Sequence, residues 1–150
     1  MLFKPLNPHK YKGDPTQIVA RSSWEFKFQR YCDAHPDILM WSSEEIIIPY
    51  VSPVDGRWHR YFPDFLVKKK NKQGKEEYNL IEIKPYEQTI PPIRGQKTEK
   101  RFLDEVFTWG VNSSKWNAAI RYCRERQWKF IIMTEKKSIV YDDKSILKDS

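Results

Sequence analysis

The chain of 150 residues has the length of one domain and is long enough to bury a core. Hydrophobic residues make up 39% and charged residues 31%, and six Trp, eight Tyr and eight Phe exclude a disordered chain, which would be poor in aromatics. Its 27 Lys and Arg against 20 Asp and Glu leave a net charge of +7, which suits a polyanionic partner such as nucleic acid, with plain solubility as the alternative.

Residues 1–15, rich in Pro, Asn and Lys, read as an extended N-terminal arm. Residues 16–34 read as a helix whose buried stripe is Trp24, Phe28 and Tyr31, and Pro36 stops it. Residues 44–50 form a first strand by their Ile run, closed by Pro49, and 52–57 a turn with Asp55-Gly56 as its hairpin signal. Residues 59–67 make the second strand, 68–75 a charged turn and 77–83 the third strand, so the three form an antiparallel meander. A Pro-rich connection follows at 86–96. Residues 97–107 and 113–127 are two further helical stretches, the second capped by Asn112 or Ser113 and presenting Trp116, Ile120 and Cys123. Residues 129–134 are a fourth strand, and the tail 136–150 is open between strand and short helix. The expectation is one α+β domain over 16–135, in the order α-β-β-β-α-β, with helices packed on a mixed sheet.

Several chemistries fall away. The apolar runs 46–48 and 130–133 are far too short to span a bilayer, and 1–12 has no apolar signal-peptide core, so no membrane partner and no secretion are expected. Cys32 and Cys123 have no CxxC partner, which disfavours a zinc ribbon or a disulfide scaffold. His9, His35 and His59 lack ligand spacing, and neither a GxxxxGK[ST] nor a GxGxxG loop is present.

What remains is a pair of short motifs. Pro63-Asp64 lies in the second strand, and Glu82-Ile83-Lys84 ends the third. Side chains alternate along strands, so Glu82 and Lys84 share a face with Leu80, and Asp64 shares one with Phe62 and Leu66. If the strands align, two carboxylates and an ammonium converge beside apolar residues. Burial and mutual repulsion penalise such carboxylates, and a divalent cation removes both penalties. Magnesium suits hard oxygen ligands and also takes phosphate oxygens. Lys84 would orient or help deprotonate an attacking water, or stabilise the charge of the transition state.

These motifs, in an α-β-β-β-α-β order, resemble the PD-(D/E)xK nuclease superfamily. The likeness is closer to one branch. Arg21-Ser22-Ser23-Trp24-Glu25, Trp41-Ser42-Ser43-Glu44-Glu45, His59-Arg60-Tyr61-Phe62-Pro63-Asp64-Phe65 and Ile81-Glu82-Ile83-Lys84-Pro85 are similar to the head completion nucleases of T-even-type phages. The last strand, Trp128 to Glu135, is similar to that of the endonuclease subunit of certain cut-and-paste transposons.

The resemblance implies a magnesium-dependent DNA endonuclease, with manganese able to substitute, that leaves a 5′-phosphate and a 3′-hydroxyl. It implies Asp64 and Glu82 as metal-binding carboxylates, the Ile83 carbonyl as a further ligand, Lys84 as the catalytic lysine and Glu25 as an accessory acid. It also implies late action in the host cytoplasm, when DNA-filled heads are readied for tails, and contact with portal, neck or head proteins. A protein that keeps this fold but only binds the portal or the DNA end is the rival.

Alternatives stand beside each residue. Asp64 could start a bend after Pro63, and Lys84 could be a solvated strand end. Glu25 fits a capping box with Ser22, and could pair with Arg21 one turn back. Glu44 and Glu45 face solvent on this reading, with one of them within reach of the site. Arg21, Arg60, Arg121 and Arg124 are the candidate contacts to DNA phosphates, although Arg126 falls elsewhere on its helix and no clean basic stripe results. The Trp residues read as core, except Trp58, which lies beside Arg57 and Arg60.

Overall fold

A computed structural model describes residues 1–142. A five-stranded mixed sheet carries one helix on each face, the α+β architecture expected. The first helix, α1 (Ser23–Ala34), precedes β1 (Ile38–Ser43), β2 (Ile48–Val51), β3 (Trp58–Tyr61), β4 (Phe65–Lys70) and β5 (Glu76–Ile83). Then come the long α2 (Glu99–Arg126), β6 (Lys129–Met133) and β7 (Ser138–Tyr141). The main sheet has the order β1-β4-β5-β6-β7, and β2 and β3 form a separate hairpin. Among the described strands only β5 and β6 pair in parallel, α2 being the crossover between them.

The first helix starts later than expected. Residues 18–20 spend their backbone hydrogen bonds on the N-terminus: Phe3 N–H donates to Ile18 O at 2.8 Å and Ala20 N–H to Met1 O at 2.8 Å. Ser22 then caps α1, its Oγ accepting Glu25 N–H at 3.1 Å. The buried face is correspondingly rotated. It carries Phe28, Gln29, Cys32 and Asp33, whereas Tyr31 is exposed. The polar members are buried as partners of the N-terminal segment. Asp33 accepts Leu6 and Asn7 N–H at 2.8 and 2.9 Å, and Gln29 Nε2 donates to Val19 O at 3.1 Å. Residues 1–15 therefore lie along the domain, with Phe3 and Tyr11 buried and Lys12 N–H bonded to Trp41 O across the edge of β1.

The meander also differs. Its first strand is Ile38–Ser43, not 44–50. That strand is buried on both faces, with Ile38, Trp41 and Ser42 inside, so it lacks the alternation that marks a half-exposed strand. Glu44 turns the chain at φ 54°. The expected strand over 59–67 is two strands, because the chain leaves pairing at Phe62 to Asp64, where Pro63 has no N–H to offer a ladder. The meander is thus β1-β4-β5, with the hairpin inserted between its first two strands.

The two helical stretches expected over 97–127 are one helix of 28 residues. Thr98, not Asn112 or Ser113, is its cap, with Oγ1 accepting Arg101 N–H at 3.2 Å. Gly110 does not break it. A Cβ there would meet Pro53 Cγ at 3.5 Å, an ordinary contact with the turn of the hairpin. The expected Trp116, Ile120 and Cys123 are buried against Leu66, Leu80, Phe130 and Ile132. On the other face of the sheet Phe65, Val67 and Ile81 pack with Phe28, Cys32 and Trp41. The last strand, β7, shows part of the open tail as antiparallel to β6, and 143–150 lie outside the described residues.

Candidate active site

The register of the central pair builds the site. Phe65 faces Ile81 and Leu66 faces Leu80 across β4 and β5, so one further step sets Asp64 against Glu82. Leu66 and Leu80 belong to the core under α2, and by alternation Glu82 and Lys84 project to that same face. Asp64 is fixed there because its Oδ2 accepts Ile83 N–H at 2.7 Å. The N–H and C=O of one strand residue point the same way, so the Ile83 carbonyl is also directed to the Asp64 side. Lys84 N–H donates to Met133 O at 3.0 Å, which extends the frame of β5 and β6 one residue beyond Ile83.

Glu82 is buried, at 7% exposure. Its Oε2 accepts the Tyr61 hydroxyl, and its Oε1 lies 3.8 Å from Lys84 Nζ. Burial first, then the charge of Asp64, push its carboxyl up to about 8, against the Tyr61 hydrogen bond and the lysines Lys84 and Lys115. Burial likewise pushes Asp64 up to about 6. The Ile83 N–H and Lys84 oppose that rise, and the charges of Glu25 and Glu44 add to it. The two carboxylates titrate as a pair that resists full ionisation at neutral pH without a compensating cation.

That donor set suits a hard divalent ion. Among the described residues no group of three or more His, Cys, Asp or Glu side chains forms a metal cage by itself. Magnesium does not require one, since it keeps several waters and takes one or two carboxylates together with substrate phosphates. Asp64, Glu82 and the Ile83 carbonyl match that habit.

Glu25 sits in the first turn of α1, and its charge acts on both Asp64 and Glu44. It also serves the helix start, with Oε1 accepting Arg21 N–H at 3.4 Å, so capping and proximity to the site coexist in one side chain. The Arg21 guanidinium pairs instead with Glu44, Nη1 to Oε1 at 2.6 Å. Glu44 is half-buried and reaches the cluster, while Glu45 is exposed.

Two residues near the cluster carried little signal. In an unbroken strand Tyr61 would face away from Asp64; the irregular step at Pro63 is what brings both to Glu82. Lys115 lies on α2 with its Nζ 5.6 Å from the Tyr61 ring centroid and 5.8 Å from that of Tyr50. Its signal was a charge one residue before Trp116 and one turn before Ala119, on the inward side of the helix. Of Glu44 and Glu45, one of them expected within reach of the site, Glu44 is the one that reaches it, through a left-handed turn at its own position.

The candidate phosphate contacts are dispersed. Arg60 lies over the Phe62 ring at 5.7 Å, within the hairpin that leads to Asp64. Arg121 is exposed and Arg124 half-buried, roughly 9 and 14 Å further along α2 than Lys115 at 1.5 Å per residue, toward the opposite end of the sheet. A groove of about 530 Å³ between the connection at 87–97 and the first half of α2 holds none of the cluster. Its Lys97 is already paired with Glu105 at 2.6 Å.

The family model described as TnsA-like endonuclease N terminal matches residues 35–135, a span that runs from β1 to just past β6. The chain is 42% identical over 135 residues to the head completion nuclease of enterobacteria phage T4, covering 87% of each protein. No solved structure matches the chain.

Proposed function

The chain belongs to the TnsA-like endonuclease family, and from that premise we propose that it is a magnesium-dependent DNA endonuclease acting in phage head completion. The observation that carries the reading is the meeting of Asp64 and Glu82 on one face of β4 and β5, with Lys84 beside Glu82. A structural carboxylate pair with both members pushed upward would destabilise the fold for no return. As ligands, the same pair gains its compensation when the ion binds.

Asp64, Glu82 and the Ile83 carbonyl would hold the ion. It would supply charge neutralisation at the scissile phosphate and a lower pKa for bound water. The rest falls to side chains. The Tyr61 hydroxyl holds one oxygen of Glu82, leaving the other turned toward Lys84. Lys84, fixed at the end of β5, places an ammonium where negative charge grows as the phosphodiester is attacked, and orients the incoming water. Glu25 reaches the rim of the cluster from the start of α1 as an accessory acid. Water attack with departure of the 3′-oxygen leaves a 5′-phosphate and a 3′-hydroxyl.

The test of the site is manganese soaked into crystals of the protein. Anomalous density between Asp64 and Glu82 is the expected result. Density only at surface acids, with the pair unliganded at millimolar manganese, would remove the metal-dependent mechanism.

A further inference from the structure

The hairpin of β2 and β3 has one face on the core and one in solvent. Ile48, Tyr50 and Tyr61 are buried on the inner face. Pro49 and Val51 on β2 alternate outward, opposite Arg60 and Trp58 on β3. Trp58 is 72% exposed, Val51 44%, and Phe62, which continues the outward alternation past Tyr61, 39%. Arg60 supplies the charge of this face and lies over the Phe62 ring. The acid of the hairpin turn, Asp55, is directed to His59 Nε2 at 2.8 Å and to Arg57 N–H at 3.0 Å. Water-exposed aromatic surface of this kind is costly to maintain and marks a contact.

Its position says with what. Trp58 and Arg60 lie on β3, which ends at Tyr61, the residue that bonds Glu82, and Phe62 follows it two residues before Asp64. Arg60 and Trp58 lead away from Phe62 along the same outer face, which makes this face the neighbour of the acidic pair along the chain. From Trp58 to Phe62 is about 13 Å of strand, close to the axial rise of four stacked nucleotides.

We propose that the outer face of the hairpin is a stacking platform for unpaired bases beside the scissile phosphate, so that the substrate is DNA with a fork, gap or frayed end at the cut. This deepens the nuclease reading and rests on it. In closed duplex each base face is covered by its neighbours, and Trp58 and Phe62 would find no partner. An unpaired strand offers base faces to both rings and phosphates to Arg60.

The experiment compares a forked DNA with the matched full duplex, using the full chain, calcium in place of magnesium, and 2-aminopurine at the first unpaired position. The parent should bind the fork about tenfold more tightly and quench the probe. Trp58→Ala should lose most of that preference and the quenching, and Trp58→Phe should restore both. Truncation of so exposed a side chain leaves folding intact, which a urea midpoint equal to that of the parent verifies. A Trp58→Ala variant that binds the fork and quenches the probe like the parent overturns the proposal. Replacing calcium with magnesium separates the two readings. A parent that prefers the fork but cuts neither DNA ends the nuclease reading and leaves the platform standing; one that cuts both at equal rates, unaffected by Trp58→Ala, ends only the platform.

Discussion

Glu82 combines deep burial, a neighbouring carboxylate and two lysines, Lys84 and Lys115, and its consequences are measurable without substrate. Both Glu82 and Asp64 have folded pKa values raised above those of the unfolded chain. Their contribution to stability is therefore fully present below about pH 4, where they are protonated in both states, and is lost as pH rises through about 6 and about 8. Metal-free protein should lose urea resistance between pH 5 and pH 9, and Glu82→Gln should flatten that slope and exceed the parent above pH 8. Stability that climbs with pH over this range would contradict the placement of the pair. Tyr61→Phe should cost roughly 1–2 kcal/mol at pH 9, because it leaves a buried carboxylate one partner short; urea midpoints with and without the hydroxyl measure it. At this scale the acidic residues and Lys84 were legible, since a charge that interrupts an apolar strand needs a reason. Tyr61 and Lys115 were not, because one depends on a break in strand alternation and the other on how α2 lies over the sheet.

Among the elements, the start of α1 sets two roles in one side chain. Glu25 assists the helix start and bears on Asp64. Glu25→Gln keeps a capping-box acceptor but removes the charge, so its thermal stability should match that of the parent while metal-dependent cutting falls. Glu25→Ala should lose cutting and, in addition, roughly 0.5–1 kcal/mol of stability. Equal cutting by Glu25→Gln and the parent would reduce the residue to a cap. The α+β class and the places of β5, α2 and β6 were readable from turn residues and apolar runs. The core order α-β-β-β-α-β is realised as α1, β1, β4, β5, α2 and β6, but the expected first strand, 44–50, falls on the hairpin strand β2 instead of β1. What misled was local. Residues 18–20 were free to look helical until the N-terminal segment took their hydrogen bonds, and Ile38–Ser43 hid because both its faces are covered. The division of α2 was suggested by Asn112 and Ser113 as cap residues, and Asn112 is instead buried within the helix.

For the molecule as a whole, the proposed function links metal, DNA and fold through the acidic pair. An ion that binds only the native state raises the melting temperature in proportion to the logarithm of its concentration, so magnesium or manganese should stabilise the parent. Asp64→Asn should be at least as stable as the parent without metal and should not respond to metal; an unchanged response would remove Asp64 from the ligand set. The net charge of +7 serves DNA affinity without reading sequence, and Lys84 is a small part of it. That separation of binding from chemistry allows the most direct test. Nicking of supercoiled plasmid with magnesium is measured for the parent and Lys84→Ala, beside gel-shift titrations of both with calcium. Lys84→Ala should cut at least about 100-fold more slowly while binding DNA within about threefold of the parent, because its charge acts chiefly in the transition state. A parent with no metal-dependent cleavage on plasmid, linear or branched DNA, or a Lys84→Ala variant that cuts as fast as the parent, would contradict the account.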